Sequence, residues 1–126
     1  VRALKLATAT IGEYYDRAQI NVNSAAGNER LGVYNTATNP DVLKAETGSI
    51  ASANGLNWRS LTEFAIDTTQ MWLAFQVDNA SNNLFYTNTG NTADKRLQTQ
   101  AYGAFPNPFV QASQDQDTVN GKIGHS

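Results

Sequence analysis

The residue types able to do acid–base or nucleophilic chemistry are few in this chain and scattered along it. Glu13, Asp16, Glu29, Glu46, Glu63 and Asp67 are the carboxylates a hydrolase would draw on. No signature pairs any two of them, and the ~5–9 Å separation that glycoside hydrolysis requires cannot be read from a sequence. Their ordinary role is as solvated turn and edge groups. Ser and Thr are abundant but lack a nucleophile elbow or a partner base. With no cysteine and a single histidine, His125, there is no thiol nucleophile, disulfide or zinc ribbon, and no basis for expecting a His-metal cluster or a Ser-His-Asp triad. The glycines are singletons at turns, so no phosphate-cradling loop is formed. The expectation is that the chain is not an enzyme.

Two binding chemistries remain. The loop Asp78-Asn79-Ala80-Ser81-Asn82-Asn83 offers a carboxylate and several amide oxygens, the hard ligands Ca2+ takes in sets of about six to eight. Asp78, Asn79 and Asn82 are its candidate donors. Asp and Asn also populate turns because they bond their own backbone, which is the competing account of the same loop. Aromatic residues are the other resource. Tyr15, Trp72, Tyr86 and Tyr102 are the candidates for a platform on which a pyranose stacks, with neighbouring Asn or Gln meeting its hydroxyls. The competing account of Trp58 and Trp72 is that they cover the ends of a core. Basic residues such as Arg2, Lys5, Lys95 and Arg96 are too few to make a nucleic-acid footprint and read as solvated surface.

The elements that would hold these residues repeat with period two, not 3.6. Ala18, Ile20 and Val22 alternate with Gln19 and Asn21, Leu31 shares a face with Val33, and Met71, Leu73, Phe75 and Val77 point away from Trp72, Ala74 and Gln76. Further strands are predicted around Ile50, over 58–66, at Leu84-Phe85-Tyr86 and over 97–105, with Pro106 and Pro108 barring a central strand position beyond. Asn54-Gly55 is the strongest two-residue hairpin signal. Turn clusters every 8–15 residues or so predict an antiparallel sandwich or jelly roll.

One hundred and twenty-six residues, 40% of them hydrophobic, fit one domain with a real core. Only 16% are charged, against about 25% in ordinary soluble domains, and Asn, Thr, Ser and Gln supply the polarity. This suits an all-β protein working outside cells, as does the lack of cysteine for a bacterial or viral protein that never relied on disulfides. The net charge of −2 gives no reason to expect nucleic acid, and no apolar run approaches the ~18 residues of a membrane helix. The chain starts at Val1, which reads as a processed product or an excised piece. The predicted organisation is one all-β domain over 1–110, an antiparallel, jelly-roll-like β-sandwich, followed by a polar C-terminal segment over 111–126 that is an extended arm or a frayed tail. In an assembled particle, such ends add strands to a neighbouring subunit.

Taken in order, Glu29-Arg30-Leu31-Gly32-Val33-Tyr34-Asn35, Asn39 to Gly48, Trp58, and Met71-Trp72-Leu73-Ala74-Phe75-Gln76-Val77 resemble β-sandwich modules of phage tail-fibre and other virion-surface proteins, and of secreted multidomain bacterial proteins. Pro40-Asp41 stands where those modules tend to have Pro-Gly, and Met71 where Tyr tends to precede the Trp. The shared residues are framework and carry no catalytic chemistry. The resemblance implies a homo-oligomer or contacts with other virion subunits, a virion-surface or extracellular setting, and a structural or recognition role in a tail fibre, spike or capsid decoration. A secreted carbohydrate-binding module taking a cell-surface glycan, and a subunit of a bacterial surface filament, are the alternatives.

Overall fold

The computed structural model of the chain describes residues 2–6, 9–36, 40–84, 86–88, 95–98, 100–110, 113–114, 117–119 and 121–126. Within them the chain is all-β. The strands are β1 (Arg2–Lys5), β2 (Tyr14–Ser24), β3 (Asn28–Asn35), β4 (Leu43–Glu46), β5 (Ile50–Ala51), β6 (Gly55–Leu56) and β7 (Arg59–Ala65). They continue with β8 (Met71–Val77), β9 (Asn83–Leu84), β10 (Tyr86–Asn88), β11 (Lys95–Leu97), β12 (Ser113–Gln114), β13 (Asp117–Val119) and β14 (Gly121–Gly124). No helix among the described residues is long and apolar enough to cross a membrane.

Two antiparallel sheets pack face to face. The first runs β12-β11-β1-β8-β3-β4, with β5 also on β3. The second is built around the long β2, which pairs β14, β6, β7 and β9. A small ladder joins β10 to β13. The predicted alternations hold: Ala18, Ile20 and Val22 of β2 meet Leu31 and Val33 of β3 and Met71, Leu73 and Phe75 of β8, with Leu61 and Phe64 of β7 completing the layer. Burial of this apolar set, at about 25 cal/mol per Å² removed from water, is what binds the sheets together. One ion pair crosses the core's end. Glu29, 2% exposed, receives Arg59 Nε at 2.9 Å and the Ser52 hydroxyl at 2.8 Å.

Three expectations change. The strand predicted over 97–105 stops at Leu97. The segment 100–110 instead folds across the outer face of the first sheet as a strap. It is held there by side-chain acceptors in place of a ladder: Phe105 N–H donates to Glu46 Oε2 (3.1 Å), Gly103 N–H to Gln76 Oε1 (3.2 Å), and Gln76 Nε2 returns a bond to Gly103 O (3.0 Å). Asn54-Gly55 does turn the chain, but it joins no hairpin. β5 pairs β3 in the first sheet and β6 pairs β2 in the second, so the turn is a corner between sheets. The chain ends lie in the chain's own sheets. β1 sits between β8 and β11, and the extended 111–126 region contributes β12, β13 and β14, the last running along β2 from Arg17 to Ile20.

Candidate functional site

The aromatic set expected to form a platform is not brought together. Trp72 does face away from the inter-sheet core, as its parity predicted, yet it is 0% exposed. The strap sets Phe105 and Phe109 over it, beside Tyr34, Ala3 and Ala74, to build a second core on the outside of the first sheet. Its indole Nε1 donates to Thr36 O at 2.9 Å and the Arg96 guanidinium lies 5.1 Å from its ring. No face of Trp72 is left for a sugar. Tyr102 rides on the strap, its hydroxyl 2.8 Å from Ser49 Oγ and Arg30 over its ring, and it lines a hollow of about 170 Å³ with Arg2, Gln76 and Gln100. Tyr15 belongs to the other sheet, edge-on to Phe64 at 6.4 Å. Tyr86 pairs with Val119 through its backbone, and its side chain lies outside the described set.

The candidate Ca2+ loop spends its oxygens on closing itself. Asp78 Oδ1 accepts from Asn28 N–H at 2.6 Å and Oδ2 from Asn28 Nδ2 at 2.8 Å. Those two bonds hold the Asp78 carboxyl below its ordinary value of 3.8. Asn79 Oδ1 accepts from Ser81 N–H at 2.9 Å, and the buried Asn82 takes the Ser52 hydroxyl on Oδ1 at 3.2 Å. These bonds are those of a closed turn.

A different group of potential ligands does converge. Asp16, Glu63 and His125 place one donor atom each within 4.8 Å of one another, a grouping hidden in the sequence by separations of up to 109 residues. His125 Nε2 lies 3.2 Å from Glu63 Oε2, both about half exposed. Asp16 takes the Ser126 N–H at 2.8 Å on Oδ1 and the Ser126 hydroxyl on Oδ2. The Ser126 hydroxyl bond first, then its backbone bond, His125 and Arg17, lower the Asp16 carboxyl from its usual range. Two carboxylates and an imidazole suit a borderline divalent metal. Here each is already bonded to its neighbour, and a metal would have to displace Ser126.

The surface that remains open is the outer face of the second sheet. β2 turns Ala18, Ile20 and Val22 inward, which leaves Arg17, Gln19 and Asn21 on the outer row, Arg17 and Asn21 half-buried and Gln19 buried. β14 lies antiparallel beside it with Lys122 opposite Gln19 and Gly124 opposite Arg17. Trp58, just before β7, lays its indole across this face. The Arg17 guanidinium is 4.3 Å from the ring centroid and Lys122 Nζ 5.6 Å. Gly124 makes the placement possible, because a Cβ there would stand 3.1 Å from the ring's Cη2. Trp58 is 39% exposed and Leu56 55%. Beside them runs a groove of about 240 Å³ lined by Gln19, Asn21, Leu56, Gly121 and Lys122. Arg17 and Lys122 make no ion pair among the described residues.

A partly exposed aromatic ring, the Asn21 amide and the Lys122 ammonium on one face can hold a ligand. Neither an acid–base pair nor an activated nucleophile lies among the groove's residues. Sequence reasoning counted Trp58 among the aromatics but did not select it. The only signal that distinguished it from Trp72 was its setting outside the clean alternation of Met71–Val77. Set against known protein families, curated proteins and solved structures, the chain matches none of them.

Proposed function

We propose that this chain is a non-enzymatic structural and recognition module on an extracellular assembly, of the kind built into phage virion surfaces as a tail fibre, spike or capsid decoration. The observation that carries this reading is how the resemblance residues are used. Leu31, Val33, Tyr34, Ala45, Trp72, Leu73, Ala74 and Phe75 are all buried in one or other of the two cores. They make a stiff frame, and they leave the outer face of the second sheet for contact with a partner. Assembly would bury further surface at the sheet edges and faces. It need not use swapped arms, since both ends already pair within the chain.

Mass and shape in solution, by light scattering coupled to size exclusion, test the proposal. A discrete oligomer or polymer, or capture by another virion component, is the expected result. A monodisperse monomer at high concentration with no affinity for any particle component overturns it. A secreted carbohydrate-binding module is the second reading, favoured by the partly exposed Trp58 and by Lys122, which lies over its ring and lines a groove together with Asn21. A compact monomer that binds glycans would select it.

A further inference from the structure

We infer that the outer face of the second sheet binds an anionic, carboxylated polysaccharide, with a pyranose ring stacked on Trp58 and its carboxylate taken by Lys122. This rests on the recognition reading above and names the chemistry of the ligand. The Arg17 guanidinium lies against one face of the Trp58 indole and its Nε is buried without a hydrogen-bond partner. Lys122 Nζ also stands over the ring, 5.6 Å from its centroid, and 39% of Trp58 remains exposed. A flat apolar face open to water suits the C–H face of a sugar.

The charge around it sets which sugar. Lys122 is exposed and pairs with no carboxylate among the described residues. Arg17 adds a second positive charge beneath the ring, held by the ring quadrupole. Asp16, next to Arg17 in sequence, stays a carboxylate while it accepts from Ser126, and Arg17 is among the groups that lower it; Glu63 lies against His125, so Lys122 is the cation of this face that meets no carboxylate among the described residues. The whole chain carries −2, so a polyanion is not drawn in by overall charge and must be met locally, at Lys122 first. Two cations are too few to neutralise a nucleic-acid backbone, where a run of phosphate contacts supplies the affinity. Asn21, partly exposed, extends the groove with a neutral amide for the hydroxyls of a neighbouring sugar, while Gln19 is buried beneath it.

Titration with polygalacturonate, followed by tryptophan fluorescence and by co-sedimentation, tests the inference. Neutral galactan and single-stranded DNA serve as comparison polymers. The expected result is binding of polygalacturonate alone, weakened about tenfold by Lys122→Gln and progressively by added salt. Trp58→Ala abolishes the binding while Trp58→Phe keeps part of it. Both Trp58 variants retain the wild-type far-ultraviolet spectrum, because Trp58 belongs to neither core. Equal binding of galactan, or indifference to Lys122→Gln, overturns the anionic assignment. Equal binding of DNA overturns it as a general polyanion effect, and no binding of any polymer overturns it outright. A discrete oligomer that ignores polygalacturonate loses this inference and keeps the module reading. A monomer without affinity for particle components loses the module reading whatever the polymers do.

Discussion

Trp72 and Trp58 both stand on the side of their sheet that looks away from the main core, and they end differently. Trp72 is sealed under Phe105 and Phe109, whereas Trp58 keeps 39% of its surface in water. What separates them is cover. The first sheet owns an eleven-residue strap, 100–110, that lies across its outer face, and Gly32 in β3 leaves the room that Phe105 needs. The second sheet has no such segment among the described residues, only Arg17 beneath the indole and Gly124 beside it. A sandwich face is thus made into core or into surface by whether a loop has the bonds to stay on it, not by how aromatic its strands are.

The largest effect that tests this contrast is at the tryptophans themselves. Trp72→Ala is expected to cost about 3–5 kcal/mol, since it empties the centre of the second core. Trp58→Ala should cost under about 1 kcal/mol, as surface changes do. Urea unfolding of the two variants side by side gives the answer, and equal losses would erase the distinction. Next in size is Gly32→Val. A Cβ at this position meets the Phe105 ring at 2.9 Å, so the strap must lift or shift at a cost of about 1–3 kcal/mol. Near-ultraviolet circular dichroism should lose part of the Trp72 and Tyr34 signal while the far-ultraviolet strand signal persists.

A smaller effect lies in the strap's tie at Tyr34, whose hydroxyl donates to Pro106 O. Tyr34→Phe removes that bond for about 1 kcal/mol. Burial, and then the neighbouring Glu46, push the Tyr34 hydroxyl well above its ordinary 10.0. A raised folded value means that its contribution is whole below pH 10 and is lost as pH rises through the folded value. Wild type should therefore lose stability more steeply above pH 10 than Tyr34→Phe does, in melting curves taken across that range. The smallest effect belongs to Asp78 on the exposed turn. Its carboxyl is lowered from 3.8 by the Asn28 backbone and side-chain bonds, so its contribution is present above that value and fades as pH falls below it. Asp78→Asn should flatten the acid limb of the melting profile, and an unchanged acid limb would remove Asp78 from the account.

The sheets were legible because their strands alternate cleanly. Met71 to Val77 and Ala18 to Val22 show which side faces the core without any structure, and Trp72 was placed on the correct side of its strand. Its cover was not legible. The strap is held by Gln76, Glu46 and Asn107 reaching its backbone, or the backbone near it, across separations of up to 64 residues, with no periodicity to announce them. Asn54-Gly55 shows the same limit, since turn chemistry identifies a bend but not which strands it joins. Of the candidate site, the loop at Asp78 was legible as a loop but its two accounts could not be separated, because turn closure and metal ligation call for the same residues. The Trp58 face was missed because β14, which carries Lys122 and Gly124 to it, comes from a polar tail with little pattern of its own.

The alternation within β2 carries a consequence for how such a molecule can change over generations. Ala18, Ile20 and Val22 answer to the fold, while Arg17 and Asn21, one residue away on either side of that row, answer mainly to whatever the face meets. Substitutions on the outer row can accumulate without passing through unfolded intermediates. The outer face could therefore be rewritten repeatedly while the same frame is inherited.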